Sequence, residues 1–217
     1  MVWSRTGTRL NSIQSGYARP ALAVGKNRFV LYNRSGNELR VESRTQNLYT
    51  KTMENSITLC AMADNGTLAV VTEDPGSAAR LRVYSSSMEQ LLSWSSPSPT
   101  APRCRLAFSP DGRRLAVAAV TVNGGQMVTN FYVVTLAQGD PVLVGSGSGA
   151  AQWLSWTGSQ SILPSATAAL SSTTHRAESG QPMTLPGRPS GTSRWTLRAI
   201  LPSAGLRPAL SGRDAGP

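Results

Sequence analysis

Apolar and polar positions alternate along this chain in short runs broken by turn residues, and the pattern repeats. In "CRLAFSPDGRRLAVAAV" an alternating run at 104–108 meets Pro110-Asp111-Gly112 and resumes at 114–120. Proline presets φ for the second turn position, Asp can bond its own backbone, and Gly accepts the positive φ that closes a tight loop. Period-two alternation on both sides of such a turn predicts a β-hairpin. The same plan appears in "ITLCAMADNGTLAVVTE", with strands at 57–62 and 67–72 about Asp64-Asn65-Gly66, and in "PALAVGKNRFVLYN", which turns at Gly25-Lys26-Asn27. A fourth, weaker copy begins at "QWLSWTGSQSIL" and turns at Thr157-Gly158.

The leading residues of the four second strands, Phe29, Leu68, Leu115 and Ile162, stand 39, 47 and 47 residues apart, close to the period of about 40–50 that marks propeller blades. Two further strand-like runs follow each of the first three hairpins: "ELRVES" and "NLYTKT", "ARLRVYS" and "EQLLSW", "MVTNFYVVTL" and "PVLV". Four antiparallel strands per unit make one blade. The opening "VWSRTGTRLNSIQ" fits as the third and fourth strands of a preceding blade, turning at Gly7. One blade cannot bury both of its faces, so blades stack radially and about four to eight close a ring. The predicted fold class is therefore all-β: a partial β-propeller of about three to four blades over residues 1–163, whose open blade faces and strand edges are expected to self-associate.

Composition modifies this picture little. The chain is 40% hydrophobic and 15% charged, low in charge against an average of about 25% but suited to a packed domain. A formal net charge of +10 directs attention to acidic partners such as nucleic acid. Yet of the 21 basic residues only Lys26 and Lys51 are lysine, the arginines are scattered through strands, turns and tail, and no dense Lys/Arg run occurs. That distribution reads as arginine-rich coding bias, and no nucleic-acid partner is expected. Cys60 and Cys104 each sit inside a strand-like run, without a CxxC or a neighbouring His, and read as small buried hydrophobes. No apolar run approaches the roughly 18–20 residues of a membrane span, and "MVWSRTGTRL" lacks the pattern of a secretory signal.

Candidate chemistry is sparse. In "PVLVGSGSGAAQ", Gly145, Gly147 and Ala150 match G-x-G-x-x-A after a strand. A dinucleotide site needs that loop to open a helix and an acid about 20 residues on. Here the next stretch turns at Gly158 and the next acid is Glu178, so a flexible inter-blade loop is expected and no cofactor. No G-x-S-x-G elbow exists, and the sole histidine is His175. Asp64 and Asp111 occupy turns, where Asp is expected for structural reasons. Trp94 and Trp156, in matching "LLSW" and "WLSW" contexts, read as packing between blades rather than as a stacking platform. No catalytic, cofactor-binding or metal-binding residue is assigned, and the chain is expected not to be an enzyme.

Taken together, "SGYARPALAVGKNRFVLYNRSGNELRVESRTQNLYTKTMENSI", "DNGTLAVVTE", "RLRVYSSSMEQLLSW" and "FSPDGRRLAVAAV" resemble an uncharacterised family of bacterial membrane-anchored propellers, domain of unknown function 5711, related in fold to WD40-like and TolB-like proteins. The resemblance runs from Val2 to about Ile162, and "YNRSGNELRVESRTQNLYTK" is its most specific part. It implies a parent with a short cytoplasmic segment and one transmembrane helix ahead of an extracytoplasmic propeller, so this chain is expected to be a fragment. The function implied is non-catalytic recognition of a protein or cell-envelope ligand. The alternative is a fragment of a lactonase-like propeller enzyme or of the gating domain of a peptidase, which would set acids or histidines in the central channel.

The family pattern breaks inside the fourth copy. Residues 164–217 are rich in Ser, Pro, Gly, Thr and Arg, with Glu178 and Asp214 their only acids. Such composition buries too little apolar surface to offset the entropy of ordering. This segment is expected to be a disordered tail or a frame-shifted translation.

Overall fold

The computed structural model describes residues 1–95, 104–158 and 161–166, and the backbone of Met183–Thr184 and Thr196–Leu197. The described residues hold strands and turns and no helix. No helix among them is long and apolar enough to cross a membrane.

A two-stranded sheet of β1 (Val2–Trp3) and β2 (Arg9–Asn11) opens the chain. The first full sheet follows, β3 (Pro20–Val24), β4 (Arg28–Asn33), β5 (Glu38–Ser43) and β6 (Asn47–Thr52), then the second, β7 (Ile57–Met62), β8 (Leu68–Asp74), β9 (Ser77–Tyr84) and β10 (Gln90–Ser95). The third comprises β11 (Cys104–Phe108), β12 (Arg114–Asn123), β13 (Gln126–Thr135) and β14 (Pro141–Ser148). Each of these three is a four-stranded antiparallel meander in chain order, so the chain is all-β with a propeller-like arrangement of sheets. The fourth sheet holds β15 (Ala151–Trp156), β16 (Ser161–Ala166), β17 (Met183–Thr184) and β18 (Thr196–Leu197). Its order is β15-β16-β18-β17, and β18 joins β16 in parallel, a departure from the antiparallel order expected.

Alternation along the second strands stacks the sheets. Leu68 and Val70 of β8 enter a core with Val30, Leu39 and Ile57, between the first and second sheets. Their neighbours Ala69 and Val71 enter the next core, with Leu81, Leu115 and Val134. In β12, Leu115 and Val117 join that second core, while Ala116 and Ala118 face a third with Phe131, Val133 and Leu154. Successive strand residues point to opposite faces, so a strand between two sheets must be apolar at every position. That is why "LAVV" and "LAVAAV" are continuous apolar runs where the outer strands alternate. Each large side chain buried in this way is worth roughly 1.5–3 kcal/mol.

The bounds of β5, β6, β7 and β11 match the sequence expectation. β8, β12, β14 and β16 run further than expected. β12 extends past 120 to Asn123 and meets β13 in a hairpin at Gly124-Gly125, both at positive φ (58° and 79°), the geometry of a tight two-residue loop. The expected flexible loop at Gly145 and Gly147 is instead strand: β14 carries both, opposite Phe131 and Thr129, past a register shift. β16 continues through Ala166, three residues beyond the expected end. Apart from the end of β16 and the two short strands β17 and β18, the segment 164–217 expected as a tail lies outside the described residues, and with it His175 and Glu178.

Candidate functional site

The first strands of successive sheets lie side by side. β7 rests against β3 and β4 on one flank and β11 on the other, and β11 rests against β15. Four hydrogen bonds and one close approach tie neighbouring sheets together, three of the bonds at or near the hairpin ends and one, from Arg105, further along β11. Arg28 Nη1 donates to Ser86 O at 2.6 Å, and Asn65 Nδ2 to Gly112 O at 3.5 Å. Arg105 Nε donates to Gln152 O at 2.9 Å, and Trp156 Nε1 to Ala107 O at 2.8 Å. A Cβ placed on Gly25 would lie 2.5 Å from Ala63 O, so only glycine lets the first hairpin approach the second.

These hairpin ends enclose a cleft of about 540 Å³ to which all four first strands contribute. Val24 comes from β3, Cys60, Ala61 and Met62 from β7 with Asp64 after it, Phe108 from β11 with Ser109 after it, and Ser155 and Trp156 from β15. Its walls are mostly small or apolar side chains whose positions are set by strand pairing. Burial pushes the Cys60 thiol far above its ordinary range. Asp64 is the carboxylate in this lining. Among the described residues no group of three or more His, Cys, Asp or Glu is placed to hold a metal ion.

Polar groups nearby are committed to structure. Ser109 Oγ lies 2.5 Å from Asp111 Oδ1, which also accepts from Arg113 N at 3.1 Å, while Arg114 Nη2 stands 3.5 Å from Oδ2. The Ser109 hydroxyl first, then the Arg113 amide and the Arg114 charge, hold the Asp111 carboxyl below its usual range. The "SPDG" string is thus a turn fastener, as its residue types predict. Asp64-Asn65-Gly66 works alike: Asn65 Oδ1 accepts from Thr67 N at 3.0 Å, and Gly66 takes a φ of 89°.

A second, open cleft of about 880 Å³ lies at the opposite end of the sheets, between the turns Ser35-Gly36-Asn37 and Asp74-Pro75-Gly76 and the link at Glu54. Two of its acids, Asp74 and Glu54, are tied up as well. Asp74 accepts from Ser77 Oγ at 2.8 Å and from Arg80 Nε at 3.1 Å, and Glu54 pairs with the buried Arg82 at 3.1 Å. Hydrogen bonding by Ser77, ahead of Gly76 and Arg80, holds the Asp74 carboxyl low.

The tryptophans bridge sheets. Trp94 packs on the second core with its ring 5.1 Å from that of Tyr132 in the next sheet, and Trp156 packs on the third core while forming a wall of the hairpin-end cleft. In the glycine string, Gly145 and Gly147 are paired in the ladder, and the buried Thr129 Oγ1 donates to Gly149 O at 2.7 Å and accepts from Ala151 N at 3.1 Å. No sequence motif marked the hairpin-end cleft, because its lining is drawn a few residues at a time from four separate repeats. The repeat itself was the one available signal.

No curated protein matches the chain. Two solved structures share part of its arrangement at low identity. Kuenenia stuttgartiensis hydrazine synthase is 20% identical with a TM-score of 0.46, over 62% of this chain and 39% of that one. A complex of KlAtg21 with the coiled-coil of AgAtg16 is 12% identical with a TM-score of 0.45, over 79% and 60%. The chain therefore spans less than two thirds of either. A family model matches residues 1–136, well over half of the chain, and by that match the protein belongs to DUF5711, a family of unknown function.

Proposed function

We propose that this chain is a non-catalytic recognition module of β-propeller type, from a membrane-anchored parent, that binds a protein or cell-envelope ligand at the hairpin-end cleft. The observation that carries this reading is the convergence of four first strands on one cleft whose shape is fixed by contacts between sheets. Pre-set walls of Met62, Phe108 and Trp156 suit an apolar or aromatic group, and Asp64 and Ser155 add polar edges that orient it. Pockets of this kind bind by shape with a few placed polar groups. The carboxylates held at low pKa, Asp111 beside the cleft and Asp74 at the opposite end of the sheets, serve turns and stay ionised at neutral pH, which suits neither to give up a proton there.

The test compares capture from an envelope extract of a bacterium that carries the family. The unmodified chain and a Val142→Arg variant on the outer strand β14 should retain the same species, while Ala61→Arg and Ser155→Arg, which fill the cleft, should lose it. Equal capture by all four would move the binding surface elsewhere. Turnover of a lactone, ester or peptide that Asp64→Asn abolishes would replace recognition by catalysis.

A further inference from the structure

The second and third sheets close their first hairpins with the same backbone turn. The carbonyls of Ala63 and Ser109 each accept from the glycine three residues on, Gly66 N at 3.0 Å and Gly112 N at 2.8 Å. In both turns the third residue fastens the loop: Asn65 Oδ1 accepts from Thr67 N, and Asp111 Oδ1 accepts from Arg113 N. Asp64 therefore stands in the second place, where the next sheet has Pro110, and not in the place of Asp111. Proline suits that place by presetting φ. It has no polar side chain, so this kind of turn closes without one there.

The Asp64 carboxylate is thus not used by its own turn. Among the described residues it makes no hydrogen bond and no ion pair, whereas Asp111 is held by Ser109, Arg113 and Arg114. Asp64 and Pro110 are exposed members of the hairpin-end cleft, while Cys60, Met62 and Ala63 in the same lining are buried. The cleft has an apolar interior and one carboxylate at its rim. None of its lining residues is Lys or Arg, although the chain holds 21 of them. An apolar body that enters such a cleft leaves its own polar end beside Asp64.

We propose, building on the recognition reading, that the cleft selects ligands joining an apolar or aromatic body to a cationic group. The body lies among Met62, Phe108 and Trp156, and the cation meets Asp64 at the rim. Burial of the body supplies attraction without direction, and the carboxylate supplies the choice of charge. An ion pair at an exposed acid is a modest effect, so the expected signature is a discrimination of a few-fold that salt weakens. A small amine and an apolar side chain beside a lysine in a partner protein share this chemistry.

The experiment follows the Met62 methyl resonance of the full chain, labelled at its methionine methyls, during titration with phenethylammonium, neutral 2-phenylethanol and anionic 3-phenylpropionate. At low salt the ammonium should bind about two- to fivefold more tightly than the alcohol, and the carboxylate should bind weakest. Asp64→Asn and Asp64→Pro should each bring the ammonium down to the alcohol's affinity, leave the alcohol unchanged and leave the melting temperature unchanged. Titration with acetyl-Phe-Lys-amide separates the two sources: binding tighter than that of phenethylammonium assigns the cation to a protein segment, and binding no tighter assigns it to a small amine. Equal affinity for the three probes, an ammonium preference that survives both substitutions, no Met62 shift with any probe, or a melting temperature lowered by both substitutions would each overturn the proposal. The recognition reading is judged apart from these results, since loss of the captured species with Ala61→Arg upholds it in every one of those cases.

Discussion

Gly112 of the third sheet lies against Asn65 of the second: a Cβ on Gly112 would come within 2.5 Å of Asn65 Nδ2, the same amide that donates to the Gly112 carbonyl. Two constraints therefore coincide at one residue, since Gly112 also holds a φ of 67°. Gly112→Val should destabilise the chain by about 1–3 kcal/mol, because a β-branched residue is strained at positive φ. Gly112→Ala should cost less and should recover part of its loss when Asn65→Ala removes the obstructing amide. Thermal melts of the two single variants and the double variant measure both terms. Strict additivity would mean the contact between sheets contributes nothing.

Leu115 is fully buried between the second and third sheets, whereas Leu91 of β10 is 45% exposed. Truncating a buried leucine removes its transfer free energy and leaves a cavity, so Leu115→Ala should cost about 2–5 kcal/mol. Leu91→Ala should stay within about 0.5 kcal/mol. Denaturant titration decides between them. Equal effects would show that the stacking inferred from the alternation in β8 and β12 is wrong.

Much of this architecture was legible because turn residues punctuate it. β5, β6, β7 and β11 end where Ser, Asn, Asp, Pro and Gly interrupt the alternation, so local chemistry and the structure agree. β14 was expected over its first half, "PVLV", and its second half was missed for a physical reason. Gly145 and Gly147 weaken a strand by themselves, and pairing with Phe131 and Thr129 on β13 overrides that preference. The hairpin between β12 and β13 was expected, but the reach of β12 to Asn123 was missed because strands projecting beyond the core carry a weak apolar signal, with Val122 and Met127 about half exposed. Gly25 was expected as a turn residue, yet the carbonyl it must accommodate belongs to Ala63 in the next sheet. The hairpin-end cleft was out of reach altogether, since no contiguous stretch contains it.

The acid limb of stability should depend on Asp111 and Asp74. Both carboxyls are held below their ordinary range, chiefly by Ser109 and Ser77 respectively. The unfolded chain then takes up a proton first as pH falls, near the free value of about 3.9. Their contribution is full above that value and is lost as pH falls through the lower, folded value. Melting temperatures from pH 7 to pH 2 should drop along this limb, and Asp111→Asn and Asp74→Asn should each flatten it. An unchanged slope in both variants would show that the turn networks carry no linkage.

The thiols should govern an alkaline limb of opposite sign. Burial pushes Cys60 far up, and it pushes Cys104 to about 11 against the opposing charge of Arg105. An unfolded thiol ionises near about 8.5, so the stability these groups contribute is whole below that pH. It is lost as pH rises toward the folded values. A thiol reagent at pH 8 should react slowly with the native chain and with both cysteines at once in denaturant. Fast native labelling of Cys60 would contradict its place in the core.

Gly25 offers the most discriminating substitution, because its φ lies outside the positive range and only the neighbouring sheet demands a glycine there. The atom a new Cβ would meet is the backbone oxygen of Ala63, which cannot swing away as a side chain could. Gly25→Ala should therefore cost about 1–3 kcal/mol through overpacking, although alanine favours regular backbone more than glycine does. The damage should be local to the junction of the first two sheets. Amide exchange should quicken in β3 and β7 while β12 and β13, which pack on the other side of the second sheet, keep their protection. Uniform loss of protection across all sheets would show that the stack unfolds as one unit. A neutral Gly25→Ala would mean that the first hairpin stands further from the second than the 2.5 Å approach requires.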